Sequence, residues 1–185
     1  MIKGWLNTSI TPEQLLDNYV STGDKANIAM LVEQFNSSIY HYLLSLSDKE
    51  TAEDTIQTTW LKVMKVQLTT KQHTNVKSWL YTIARNTLID ELRRQKRWQF
   101  KVLESHHLQS EFLDQEFEKS TRLALFNSAI NELPFYQREV FIFQQEGFSV
   151  LEICELTNES FETTKSRLRY ARNNLKAKLG QHYER

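Results

Sequence analysis

The sequence predicts an all-α protein of two small helical domains joined by an acidic linker, and three observations carry that prediction. The chain has 185 residues but only four glycines and two prolines, too few for the tight turns of a sheet-rich fold. Apolar residues recur at three- and four-residue spacing, with no convincing period-two run and no internal repeat. Helix-start signatures precede several of these runs. A hydrophobic fraction of 40% and a charged fraction of 25% are those of an ordinary folded, soluble chain.

Taken in order, Thr11-Pro12-Glu13-Gln14 opens the first helix. Thr11 suits the cap, Pro12 the first turn, and Gln14 the position that completes a capping box. A break at Ser21–Asp24 leads to a helix carrying Ile28, Leu31, Val32, Phe35, Ile39 and Tyr42. Ser47 with Glu50 predicts another capping box, ahead of a helix through Ile56, Trp60, Val63 and Met64. The polar stretch Gln67–Asn75 is a loop, and a long helix runs from about Val76 to Trp98, closing a first domain over 1–98. Residues 99–122 are acidic and weakly periodic, a linker that is partly helical.

The second domain covers 123–185. Leu123, Phe126 and Ile130 lie on a helix that ends before Pro134. A further helix follows from Phe135, with Gly147 as its stop. Ser149 and Glu152 form a capping box for a short helix through Leu156, and Ser160 caps the last helix.

The chain is neutral overall, with 23 basic and 23 acidic residues, but its charges are segregated. Arg85–Lys101 holds six bases against Asp90 and Glu91, while Val102–Arg122 holds five acids against Lys119 and Arg122. After Glu162, the stretch to Leu179 carries Lys165, Arg167, Arg169, Arg172, Lys176 and Lys178 with no acid. Two basic islands around an acidic stretch point to two polyanion-binding surfaces rather than to solvated helix faces alone.

Other function classes are poorly served. A single cysteine, Cys154, rules out an internal disulfide and a cysteine-rich zinc site. The pair His106–His107 sits in a polar stretch, where adjacent histidines are usually solvated. No glycine-rich phosphate loop, zinc-protease motif or nucleophile elbow is present. The expectation is a protein without catalysis, metal or cofactor. No apolar run reaches the length of a membrane span and the N-terminus lacks a signal-peptide pattern, so a cytoplasmic protein without membrane insertion is expected.

The short helix, tight turn and basic helix over about 149–170 form a helix-turn-helix candidate, with Asn158 able to adopt the left-handed turn conformation. Cys154 suits the close approach of the two helices. At 100° per residue Thr164, Leu168, Ala171, Leu175 and Leu179 share one stripe, the expected buried face. Lys165, Arg169, Arg172 and Lys176 border it on one side, Arg167 and Lys178 on the other. Thr163, Ser166 and Tyr170 lie opposite. Cations on the flanks reach phosphates while the helix N-terminus meets base edges. A membrane-surface helix explains the cations but not the capped short helix in front.

On the central helix Trp79, Asn86, Asp90, Arg93 and Arg97 fall within roughly 60° on the same wheel. Leu80, Ala84, Leu88 and Leu92 form a separate ridge. An aromatic, an amide and arginines together can stack on bases, hydrogen-bond them and hold phosphates; a core tryptophan beside a solvated polar face accounts for Trp79 equally well. Lys77 adds a charge at the same end.

These segments resemble bacterial sigma factors of the sigma-70 family, specifically the small extracytoplasmic-function (ECF) group. The stretch Ala52–Met64 resembles the region-two helix that docks on the clamp helices of RNA polymerase. The stretch Val76–Arg97 resembles the segment that melts and reads the minus-ten element. Leu133–Leu179 resembles region four, the reader of the minus-thirty-five element. The resemblance implies polymerase contacts at Asp54, Gln57, Trp60 and Lys62. It implies minus-ten contacts at Trp79, Asn86, Asp90, Arg93 and Arg94, to which the residue reading adds Lys77 and Arg97. It implies upstream-element contacts at Thr163, Lys165, Ser166 and Arg167, joined by Ser160, Glu162 and Arg169. Core RNA polymerase (clamp helices and flap), promoter DNA and an anti-sigma factor are the implied partners. Thr58 stands where the family usually has an acid, Thr164 where it has an aliphatic residue, and Glu159 with Glu162 places acids near the DNA-reading end. The rival reading is a stand-alone helix-turn-helix regulator, which has no use for the polymerase-docking helix.

Overall fold

The computed structural model describes residues 10–65, 75–102 and 120–183. They form eight helices and, among the described residues, no strand: α1 (Pro12–Thr22), α2 (Lys25–Leu44), α3 (Lys49–Lys65), α4 (Val76–Val102), α5 (Ser120–Asn131), α6 (Phe135–Gln145), α7 (Val150–Thr157) and α8 (Phe161–Tyr183). The linker histidines His106 and His107 lie outside the described residues, as does Lys71 of the Gln67–Asn75 loop.

Local chemistry sets most helix ends as the sequence leads one to expect. Thr11 and Gln14 exchange hydrogen bonds reciprocally: the Gln14 N–H donates to Thr11 Oγ1 at 3.3 Å and the Thr11 N–H to Gln14 Oε1 at 2.9 Å. Gly23, at φ 71°, terminates α1, and Asp24 caps α2 by accepting from the Ala26 N–H at 2.9 Å. The start of α3 differs. The expected Ser47–Glu50 box is absent; Asp48 accepts from the Thr51 N–H at 2.8 Å, while Ser47 donates back to the Leu43 carbonyl at 2.8 Å. A carboxylate outcompetes a hydroxyl for helix N–H groups, so the cap falls one residue later. The last helix of the first domain is also longer than expected, since α4 continues past Trp98 to Val102.

Helices α1–α4 pack into one bundle, with α4 in contact with each of the other three. Its core includes Leu31, Phe35, Ile39, Val63, Leu80, Ala84 and Leu88, all buried. The α3–α4 seam is partly polar: Thr51, Thr55 and Thr59 are buried on α3, and Thr51 accepts from the Gln95 amide at 3.0 Å. Helices α5, α6 and α7 pack around α8, with Ala129, Ile130, Leu133, Phe141, Ala171 and Leu175 forming one apolar cluster. The two helical groups touch. Val140, Phe143, Phe148, Ile153, Leu156 and Leu168 continue the core of the α1–α4 bundle rather than closing a separate one.

Candidate nucleic-acid interface

Helices α7 and α8 form the helix-turn-helix. Ser149 accepts from the Glu152 N–H at 3.3 Å and its own N–H donates to Glu152 Oε2 at 2.8 Å, a complete capping box. That backbone hydrogen bond, reinforced by the Ser149 hydroxyl, holds the Glu152 carboxyl below the usual carboxylate range. Asn158 at φ 54° makes the left-handed turn between the helices. Ser160 then accepts from the Thr163 N–H at 3.1 Å, capping α8. At the crossing, the Cys154 thiol donates to Thr164 Oγ1 at 3.3 Å. Thr164 is fully buried, so this contact satisfies a hydroxyl at a position that otherwise calls for an aliphatic side chain.

The stripe Thr164, Leu168, Ala171 and Leu175 of α8 is buried, with Leu179 packed at its end. The six cations that surround it divide into two groups. Arg167 is turned inward: it pairs with Glu159 at 3.0 Å and lies 4.7 Å over the Tyr136 ring. Lys178 pairs with Glu132, and Arg172 donates to Gln144 Oε1 at 2.7 Å. These three tie α8 to the rest of its own helical group. Lys165, Arg169 and Lys176 are exposed along the border they share with Arg172, with Lys165 above Phe161 and Arg169 above Tyr170. Ser160, Glu162 and Tyr170 are exposed and Thr163 and Ser166 half-buried beside them. This edge is what α8 can lay in a groove of a duplex.

On α4 the ridge Leu80, Ala84 and Leu88 is buried and Leu92 is packed against the core. Asn86, Asp90, Arg93 and Arg94 are exposed on the far side, Arg94 pairing with Glu91 at 2.9 Å. Trp79 is partly buried against the core, which is the packing reading of that residue. The side chain of Arg97 lies outside those described. Lys77 does not join this stripe. It donates to the Glu146 carbonyl and sits 4.7 Å over the Phe148 ring.

On α3 the exposed face carries Asp54, Gln57, Thr58, Leu61, Met64 and Lys65. Leu61 is 51% exposed and Met64 41%, large apolar side chains left in water on one face. Trp60 is not part of it: the ring is buried at 7% exposure and its Nε1–H donates to Asn36 Oδ1 at 2.8 Å. Lys62 is exposed along its stem, and its ammonium donates to Thr87 Oγ1 at 2.9 Å, tying α3 to α4.

The family comparisons match this layout segment by segment. Residues 31–98 match the model of sigma-70 region 2, and residues 123–175 that of sigma-70 region 4. An ECF RNA polymerase sigma factor of Rhodopseudomonas palustris, EcfG, is 30% identical over 151 residues, spanning 77% of this chain and 79% of its own. The chain belongs to the sigma-70 family. Bacillus subtilis SigV is 28% identical over 146 residues, spanning 78% of this chain and 86% of its own. Among solved structures, the sigma factor RpoE of Bartonella quintana, in complex with the anti-sigma factor NepR, superposes with a TM-score of 0.72 at 28% identity. That alignment covers 85% of this chain and 98% of RpoE. CnrH, in complex with the cytosolic domain of CnrY, shares the fold at a TM-score of 0.66 and 19% identity, over 92% of this chain and 99% of CnrH.

This chain is thus an ECF-type sigma factor, a transcription initiation factor without catalysis of its own, which directs RNA polymerase to promoters. No helix among the described residues is long and apolar enough to cross a membrane. In this sigma factor four of the expected site residues make contacts within the chain itself. Trp60 is a core residue, because at 100° per residue it lies about 120° from Asp54, toward the buried side of α3. Arg167, Lys77 and Lys62 spend their charges on contacts within the chain. Leu61 was not singled out in the sequence, and Met64 was read with the apolar run of its helix, whereas both are exposed. The signal was available, since both fall within about 80° of Asp54, away from the stripe of Ile56, Trp60 and Val63.

Proposed function

We propose that this sigma factor docks on core RNA polymerase through the exposed face of α3: Asp54, Gln57, Thr58, Leu61 and Met64. Exposed apolar side chains ringed by polar ones are the composition of a protein-binding patch. The α4 stripe of Asn86, Asp90, Arg93 and Arg94, with the edge of Trp79, engages the melted minus-ten strand. Capturing an unstacked base costs a few kcal/mol, which aromatic and amide contacts offset in part. The α8 edge of Thr163, Lys165, Ser166 and Arg169 reads the minus-thirty-five element. The cations hold phosphates, and Glu162 at the tip accepts from a cytosine amino group while repelling misplaced phosphates.

The observation that carries this reading is the division of the α8 cations, three spent on the fold and three facing out beside the helix tip. The factor acts in the cytoplasm, where polymerase and DNA are. An anti-sigma factor holds it inactive, by analogy with the NepR complex of the RpoE neighbour. The test is affinity capture of the full chain from cells followed by mass spectrometry. Co-purifying polymerase subunits support the reading. A chain that recovers no polymerase yet binds a symmetric DNA site tightly is a stand-alone regulator instead.

A further inference from the structure

Helix α1 lies outside the residues that match region 2, which begin at 31, yet it holds the C-terminal end of α3 and the N-terminal end of α4. Helix α3 ends at Lys65 and α4 starts at Val76. The last four carbonyls of one helix and the first four N–H groups of the other have no partner within their own helix. Asn75 meets part of that need locally, accepting from the Ser78 N–H at 2.9 Å. Two further partners come from α1. The Tyr19 hydroxyl donates to the Met64 carbonyl at 2.9 Å, and Glu13 Oε1 accepts from the Val76 N–H at 3.2 Å. The Glu13 carboxylate also brings a negative charge to the start of α4, where the helix dipole favours it. Leu15 and Leu16 seat α1 in the bundle core. At 100° per residue Tyr19 projects between them and Glu13 about 60° beyond Leu16. About 9 Å of helix axis, at 1.5 Å per residue, separates Glu13 from Tyr19, so one rigid element spans the two helix ends.

The seam between α3 and α4 has use for such a fixture. Of the buried threonines that α3 places there, Thr59 turns its hydroxyl back to the Thr55 carbonyl at 2.8 Å, and the Thr55 hydroxyl has no partner among the described residues. Thr51 alone of the three reaches α4, through Gln95. Apolar burial is non-directional, so much of the register along the seam rests on hydrogen bonds. Thr51–Gln95 ties one end and Lys62–Thr87 the stretch between. At the other end the ties run through α1. That register separates two working surfaces, the exposed face of α3 and the α4 stripe of Asn86, Asp90 and Arg93. A stripe anchored through a neighbouring helix is only as well placed as the contacts between the two.

We propose that α1 is a clip, with Glu13 and Tyr19 as positioning residues that fix the start of α4 against the end of α3. Polymerase holds α3 and the melted strand is held by α4, so slack between the helices is slack in strand capture. The proposal rests on the sigma-factor reading above and extends it to two residues that lie on neither surface.

The test compares the unaltered full chain with the double variant Glu13→Ala, Tyr19→Phe and with Glu13→Gln, which keeps an acceptor in place. All three are used at a temperature where circular dichroism shows them folded. Each is mixed with core polymerase and a promoter fragment, and opening is followed by the permanganate reactivity of the minus-ten thymines. The double variant should capture polymerase within about twofold of the unaltered chain but open the promoter roughly fivefold more slowly or worse. Glu13→Gln should open it at close to the unaltered rate. Hydrogen exchange supplies a second reading without polymerase: the Val76 amide should exchange roughly tenfold faster in the double variant, with Leu80–Leu88 unchanged. Opening at the unaltered rate overturns the proposal. A fall in opening no larger than the fall in polymerase capture also overturns it, since a merely loosened bundle gives that. Unmoved exchange at Val76 overturns it as well. An unaltered chain that opens no promoter sinks the sigma-factor reading instead, and the exchange measurement still decides whether the clip forms.

Discussion

Replacing Arg167 and Arg169 one at a time by alanine separates the two cation groups of α8. Arg167 is 22% exposed and its partner Glu159 32%, so their ion pair is partly screened and contributes about 0.2–1 kcal/mol. The stack on Tyr136 at 4.7 Å adds about 0.5–1 kcal/mol. Arg167→Ala should therefore cost about 1–2 kcal/mol, a fall of roughly 2–8 °C in Tm for a chain of this size. It should leave the salt dependence of promoter binding unchanged. Arg169→Ala, at an exposed position, should leave Tm within about 1–2 °C, as surface changes usually stay within ±0.5 kcal/mol. It should reduce the slope of log K against log salt by about 1, one phosphate contact fewer. The assays are thermal unfolding by circular dichroism and binding of the polymerase complex to a promoter fragment from about 50 to 200 mM salt. If Arg167→Ala keeps its Tm and loses the slope while Arg169→Ala does neither, the division of the cations is wrong.

Other expectations follow from the same contacts. Leu61→Asp with Met64→Asp should abolish polymerase capture at nearly unchanged stability, whereas Trp60→Ala should cost about 3–5 kcal/mol by opening a core cavity; comparing unfolding midpoints with capture yields distinguishes the two. Glu152 has its folded pKa below its unfolded value, so its stabilisation is present above about pH 4.3 and is lost as pH falls through the folded value. Glu152→Gln should accordingly flatten the loss of stability between about pH 5 and 3, measured as denaturant midpoint against pH. Thr164→Val removes the acceptor of the Cys154 thiol and should cost no more than about 1 kcal/mol, since a thiol is a weak donor and little is lost with its acceptor; a loss above about 3 kcal/mol would show that the hydroxyl holds more than this weak bond.

Much of the fold was legible because it is set locally. Thr11–Gln14, Ser149–Glu152 and Ser160 act within four residues of the helices that they start, and the α8 stripe follows from period alone. The failed cap at Ser47 is equally local; an aspartate beside a serine creates a competition that spacing cannot judge. The candidate site was legible in outline only. A cation on a helix border looks the same whether it faces DNA or a tyrosine 31 positions earlier in the chain, and Arg167 faces Tyr136. The buried carboxylate of Glu139 on α6 gave no signal, because its partners Arg85 and Tyr42 are 54 and 97 residues distant. Trp60 is a different case: the resemblance supplied its role, while its helical angle points inward and its ring is buried.

The most direct measurement is run-off transcription with core polymerase and the full chain on a library of genomic fragments. The account predicts defined start sites that depend on the added protein, each lying downstream of two separated elements, and weakened by Arg169→Ala. Absence of any start site that depends on the added protein, with polymerase active on a control factor, would contradict it.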